Sequence, residues 1–144
     1  MNLLIKKLLF SLLGVCICTV VSAQVTLVNN SKSKIFLAEE TSVNKTAAEI
    51  LQMFIKKMTN CNFPIIIGQQ KITKGDIVIG GETPDGVTED GFKLSTKDGI
   101  LRISGSGNGT VYGVVTLLEQ YLGVDYWGEN EYSFNPAKTI ELPL

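Results

Sequence analysis

Between Asp90 and Gly123 the spacing of apolar and polar residues changes period. Phe92 and Leu94 alternate with Lys93 and Ser95, and Leu101 and Ile103 alternate with Arg102 and Ser104. A period of two marks strands buried on one face, and Asp98-Gly99 is a favoured pair for a tight turn between them. The stretch therefore predicts an antiparallel hairpin. Gly105, Gly107 and Gly109 then break the pattern. Val111, Val114, Val115, Leu118 and Leu122 follow at helical spacing, and Gly123 stands where a left-handed C-terminal cap belongs.

Upstream, Thr26 to Asn30 and Lys34 to Ala38 read as two short strands joined by the polar turn Asn30-Ser31-Lys32-Ser33. An amphipathic helix follows. Thr46 and Glu49 have the spacing of a capping box, in which each side chain satisfies a backbone N–H at the helix start. Ala47, Leu51, Phe54, Ile55 and Met58 share one face, widened by Ile50 and Met53, while Glu49, Gln52, Lys56 and Lys57 share the other. Such a stripe predicts core packing ahead of a partner-binding groove. Pro64 to Gly68 and Asp76 to Gly80 hold continuous apolar runs, which place strands at the centre of a sheet with both faces covered. Thr139 to Leu142 offers a last strand. The order β-β-α-β-β-β-β-α-β predicts an α+β fold: a mixed β-sheet with two helices packed on it, as a two-layer sandwich.

The first residues add a location. Lys6 and Lys7 precede the apolar run Leu8 to Val21, and Val21-Ser22-Ala23 is a small-residue cleavage site. The run is shorter than the roughly 20 residues a spanning helix needs, so 1–23 reads as a signal peptide, with an uncleaved anchor as the alternative. Residues 24–144 are then one exported domain, secreted or periplasmic, without a membrane segment once processed. Cleavage takes the 13 basic residues to 11 against 14 acidic ones, a formal net charge of −3. That balance, with no basic cluster, argues against a nucleic-acid partner. Only Cys61 survives processing, so the domain has no internal disulfide and rests on its core.

Candidate chemistry is sparse. Gly105, Gly107 and Gly109 between strand and helix imitate a dinucleotide loop, but position 110 is Thr where that motif needs glycine. Tight strand-to-helix packing is the simpler reading, and no cofactor is expected. There is no histidine to activate Cys61 or to bind zinc, so no metal site is expected either. Paired carboxylates for glycoside hydrolysis could be imagined among Glu82, Asp85, Glu89, Asp90, Glu119, Glu129 and Glu131, with nothing in the spacing to select a pair. Glu119 interrupts the buried helix face, where it would bond a nearby backbone group or Arg102. Asn29, Asn44 and Asn108 begin N-x-S/T triplets. The remaining candidate is Val124 to Tyr132, which gathers the single Trp with two Tyr and three acids. Tyr126, Trp127, Glu129 and Tyr132 suit stacking on sugar rings, or equally an interface with a neighbouring domain.

The central stretch also carries a resemblance. Asp90-Gly91-Phe92, Gly99, Leu101, Ile103, Gly105 and Gly109, followed by Tyr112, Gly113, Leu117, Leu118, Glu119 and Gly123, form its pattern. It resembles the N-terminal, non-catalytic domain of alpha-glucuronidases (family 67-like secreted glycoside hydrolases), and is similar to the second domain of beta-hexosaminidases. The resemblance implies an accessory domain preceding a catalytic barrel that supplies the acid, base or nucleophile. The barrel would be expected to begin about where this sequence stops, so no catalytic residue carries over. Gly105, Gly109, Tyr112, Gly113, Glu119 and Gly123 are then structural residues of the motif, and the partner is the barrel or a glycan. A free-standing exported carbohydrate-binding module using the aromatic cluster is the alternative.

Overall fold

A computed structural model of the chain describes residues 24–28, 32–68, 70–83, 85–128, 131–136 and 139–143. The signal-peptide expectation for 1–23, residues Asn30 and Ser31 of the polar turn, and Glu129 lie outside the described residues.

The chain runs β1 (Gln24–Val28), β2 (Ile35–Leu37), α1 (Ser42–Thr59), β3 (Ile65–Ile67), β4 (Ile77–Ile79), β5 (Phe92–Lys97), β6 (Ile100–Gly105), α2 (Gly109–Thr116), β7 (Asp125–Gly128), β8 (Glu131–Ser133) and β9 (Thr139–Pro143). Five strands form the main sheet in the order β3-β2-β4-β6-β5. The first three neighbouring pairs in that order are parallel and β5–β6 is antiparallel, so the sheet is mixed. Ile35, Leu37, Ile77, Ile79, Leu101 and Ile103 all project from one face. They join Ala47, Leu51, Ile55, Val114, Leu117 and Leu118 of the helical layer in a single core. Both helices thus cover the same face, giving the α+β two-layer arrangement. Phe36 and Val78 project to the opposite face and are also buried.

Three local expectations need correction. β1 pairs with β9, not with β2, so the N-terminal strands do not form a hairpin. β4 is buried along its whole length as a central strand should be, but β3 is an edge strand and Ile67 is exposed. β2 lies between them and is buried at all three of its residues. The capping box at Thr46 and Glu49 is not used, because the helix has already begun at Ser42. Its cap is Thr41, whose Oγ1 accepts from the Asn44 N–H at 3.1 Å. The apolar face of α1 is as its stripe indicates: Ala47, Leu51, Phe54, Ile55 and Met58 are buried.

The β5–β6 turn places both Asp98 and Gly99 at positive φ, as a two-residue hairpin of matching twist requires. After α2 the helix widens over Leu117–Tyr121, where the Leu122 N–H reaches back five residues to the Leu117 carbonyl. Gly123, at φ 64°, ends it, and the Val124 N–H returns to the Leu118 carbonyl at 2.9 Å. Leu117, Leu118 and Leu122 are buried along this end of the helix, while Val115 just before it is exposed.

The glycine loop is filled by its own chain. A Cβ on Gly105 would stand 2.8 Å from the Gly91 carbonyl oxygen, and one on Gly109 would overlap that same atom. Ser106 donates its N–H to Gly91 O at 3.0 Å and its hydroxyl to Thr88 O at 2.6 Å. The Asn108 N–H donates to Asp90 Oδ1 at 2.7 Å. A Cβ on Gly113 would lie 2.9 Å from Ile103 Cγ2, so α2 packs directly on β6. These contacts seat α2 and, through it, the segment that follows.

Candidate functional site

Past Gly123 the chain forms an antiparallel ribbon, β7–β8. Local pattern does not announce it, since an aromatic-acidic run without alternation carries no strand period. Tyr126 pairs with Tyr132 and Gly128 with Glu131, so Trp127 is an extra residue in the ladder. Such a bulge bends the strand and re-aims its side chains. Trp127 is 73% exposed and Tyr126 58% exposed.

Tyr132 anchors the ribbon to α1. Its ring meets Phe54 edge-on at 5.2 Å between centroids and stacks beside Phe134 at 6.2 Å. The Lys57 ammonium sits 4.1 Å from the Tyr132 ring centroid and donates a hydrogen bond to the Tyr132 hydroxyl. Aromatic pairs with this edge-on geometry and a cation over one ring fix orientation as well as burying area.

Between α1, the end of α2 and this ribbon lies a hollow of about 450 Å³. Ile50, Met53, Phe54 and Lys57 line it from α1, Val115, Leu118 and Glu119 from the α2 segment, and Val124, Tyr126 and Tyr132 from the ribbon side. A shallower recess of about 280 Å³ adjoins it, bounded by Glu119, Val124, Asp125, Tyr126 and Trp127. Of the sequence-derived candidates, Tyr126, Tyr132 and Glu119 share the hollow, while Trp127 borders only the recess. Glu119 is exposed and has no hydrogen-bond partner among the described residues. It does not reach Arg102, which is exposed on strand β6 between the inward-facing Leu101 and Ile103 and so points to the far side of the sheet. Tyr112 is also exposed, one turn before Val115 on the outer side of α2.

Sequence reasoning missed Met53, Ile50, Lys57 and Val115 as members of this surface. The signal was present in part: Ile50 and Met53 broaden the apolar stripe of α1 beyond what the sheet can cover. Val115 follows the buried Val114 and could be assigned outward only once the phase of α2 was known.

The chemistry offered is contact chemistry. An apolar floor with aromatic walls, one ammonium and one carboxylate can bury side chains or stack on a ring, but Lys57 is already held by Tyr132. Among the acids weighed for hydrolysis, Asp90 is committed to the glycine loop through Asn108. Among the described residues no group of three or more His, Cys, Asp or Glu side chains is placed to hold a metal ion. Asn44 is buried and so is closed to glycosylation in the folded chain, whereas Asn108 is exposed. Cys61 is half-buried against the core below α1.

No protein-family model matches the sequence, and no curated protein matches it. Solved structures do resemble it in shape. The chain is similar to an exo-β-N-acetylglucosaminidase of family GH20 from Vibrio harveyi, solved with N-acetylglucosamine, at 18% identity and a TM-score of 0.50 over 82% of this chain. It is similar also to a GH138 enzyme targeting pectin rhamnogalacturonan II, at 18% identity and a TM-score of 0.44 over 61% of this chain. The chain spans 15% and 13% of the lengths of these two proteins. The likeness to the first is one of fold: this α+β arrangement also forms a small part of a large glycoside hydrolase.

Proposed function

We propose that the chain is a non-catalytic accessory domain of a secreted, alpha-glucuronidase-like glycoside hydrolase, seated against a catalytic barrel. The observation that carries this reading is the concentration of exposed apolar side chains around the hollow. Met53 is 41% exposed, Val115 37%, Tyr126 58% and Trp127 73%, all on the surface shared by the helices and the ribbon. A contiguous apolar surface of this kind, edged by Lys57 and Glu119, suits burial against another domain. The fold's occurrence within a glycoside hydrolase supports the choice of partner. Export to the periplasm or the medium follows from reading 1–23 as a signal peptide.

The size of the native protein tests the proposal. An antibody to residues 24–144 should detect a band several times heavier than 15.7 kDa in the source cells or medium. A band at or below that mass would overturn it, as would hydrolysis of glucuronides or hexosaminides by the purified chain alone.

A second reading rests on the recess at Trp127. A largely exposed indole beside the Glu119 and Asp125 carboxylates offers a stacking face with hydroxyl acceptors, as a carbohydrate-binding module would. Trp127 is the single tryptophan, so its emission reports on that site alone. A glycan panel that leaves the emission unchanged removes this reading.

A further inference from the structure

At the other end of the helical layer, three parallel strands deliver their C-terminal ends to one crevice. Glu39 and Thr41 follow β2, Gly80 to Thr83 follow β4, and Gly105 ends β6 with Ser106 and Gly107 after it, around a volume of about 480 Å³. From β2 the chain crosses through α1 to β3 on one side, and from β4 it proceeds to β5 and β6 on the other. Chain connections that diverge from neighbouring parallel strands leave a gap above the strand ends, the place where open α/β sheets bind ligands. Both helices begin at this gap, and α2 begins without a side-chain cap.

Two side chains show that the gap is more than loop geometry. Thr110 is 2% exposed and Asn44 is 5% exposed, and both line the crevice. Asn44 donates Nδ2–H to the Glu39 carbonyl at 3.2 Å, which leaves its Oδ1 unengaged. Neither that oxygen nor the Thr110 hydroxyl has a hydrogen-bond partner among the described residues. Yet no enclosed side-chain polar atom there lacks a partner, so both atoms open onto the crevice. Nearly buried polar groups facing a cavity are the pattern of a site that satisfies them with a ligand.

The charges select the ligand class. Among the described residues Glu39 and Glu82 are the only charged ones lining the crevice, and none of them brings a cation there to hold phosphate or carboxylate. Carboxylates and an amide oxygen accept from hydroxyls, while the Thr110 hydroxyl and the uncapped helix start donate to them. We infer that this crevice binds a neutral, hydroxyl-rich molecule of monosaccharide size. The volume sits low in the range of about 300–1,000 Å³ usual for ligand pockets. The site lies at the N-terminal ends of the helices, apart from the hollow along their C-terminal halves, so it does not depend on the accessory-domain reading.

Nuclear magnetic resonance titration of the isotope-labelled full chain with D-glucose, D-xylose, N-acetyl-D-glucosamine and inorganic phosphate tests the inference. At least one neutral sugar should shift the amides of Gly81, Ser106, Gly107 and Thr110 saturably, with phosphate inert. Thr110→Val keeps the side-chain shape and should weaken that binding about fivefold. Glu82→Gln, at an exposed position that does not support the fold, should weaken it about tenfold. Absence of a saturable shift with all three sugars would overturn the inference. So would stronger binding of phosphate, or equal binding by both variants. Shifts confined to the Trp127 indole would overturn it too, while leaving the accessory-domain proposal in place.

Discussion

Asp90 and Asn108 are tied across the glycine loop, the Asn108 backbone N–H donating to Asp90 Oδ1 at 2.7 Å. Asp90 itself sits at φ 59°, in the left-handed region. One residue therefore both turns the chain into β5 and fixes the start of α2. Asp90→Ala should lose the hydrogen bond and strain the backbone, costing about 2 kcal/mol. Asp90→Gly loses the bond but relieves the strain and should cost about 1 kcal/mol. Urea unfolding of the pair checks the order, and Gly less stable than Ala would contradict it.

Two glycines separate space from dihedral angle. Gly109→Ala drives a methyl group into the Gly91 carbonyl oxygen, and we expect a loss of about 3 kcal/mol or a chain that fails to fold. Gly123→Ala meets no atom within 4 Å and pays only for φ 64°, about 1 kcal/mol. Thermal unfolding should rank them in that order.

Asp76 is a buried carboxylate with every contact accounted for by backbone and a hydroxyl. It accepts from the Lys34 N–H at 2.9 Å, the Thr73 N–H at 2.6 Å and the Thr73 hydroxyl at 2.8 Å. Removing it in Asp76→Ala strands those donors and should destabilise by about 3 kcal/mol. Chemical denaturation would show a midpoint shift with an unchanged slope.

Tyr132 holds the ribbon mainly through its ring. Tyr132→Phe keeps the edge-on contact with Phe54 and should change stability by about 0.5 kcal/mol or less, because the Lys57 bond it loses is exposed. Tyr132→Ala should cost about 2 kcal/mol and loosen β7–β8, seen as faster amide exchange at Tyr126. Equal effects of the two changes would assign the anchoring to the hydroxyl instead.

Trp127 should fluoresce as a solvent-exposed indole and be quenched readily by acrylamide in the isolated chain. Trp127→Ala should leave unfolding within about 0.5 kcal/mol of the parent. Emission already shifted to the blue, or protected from quencher, would mean the indole is covered.

The sequence disclosed what local periodicity encodes. The apolar stripe of α1, the β5–β6 hairpin and the Gly123 terminus are each set by residues close along the chain, and each is found where the pattern puts it. The misreadings involve distant partners. Nothing near Gln24–Val28 indicates that β9, over a hundred residues later, completes its ladder. The triple-isoleucine run of β3 looks central, yet sheet order leaves it at the rim. The Thr41 cap is a local exception: Asn44, not Glu or Gln, stands three residues on, so no capping box marks it. At the hollow the aromatic residues were legible by type, but their neighbours on α1 were not, because the ribbon's return path brings them together.

The position of β2 also has a cost in time. Both of its ladders join it in parallel to strands that lie far along the chain, Ile35 meeting Ile65 on one side and Ile77 on the other. Loop closure must precede both pairings, so they form late, whereas the β5–β6 hairpin and α1 assemble from near neighbours. Pulse-labelled hydrogen exchange during refolding should protect the amides of β6 before those of β2. Until β2 is captured, Ile35-Phe36-Leu37 and Ile77-Val78-Ile79 stand bare with unpaired edges, and that interval is when the newly made chain is open to aggregation and to chaperones.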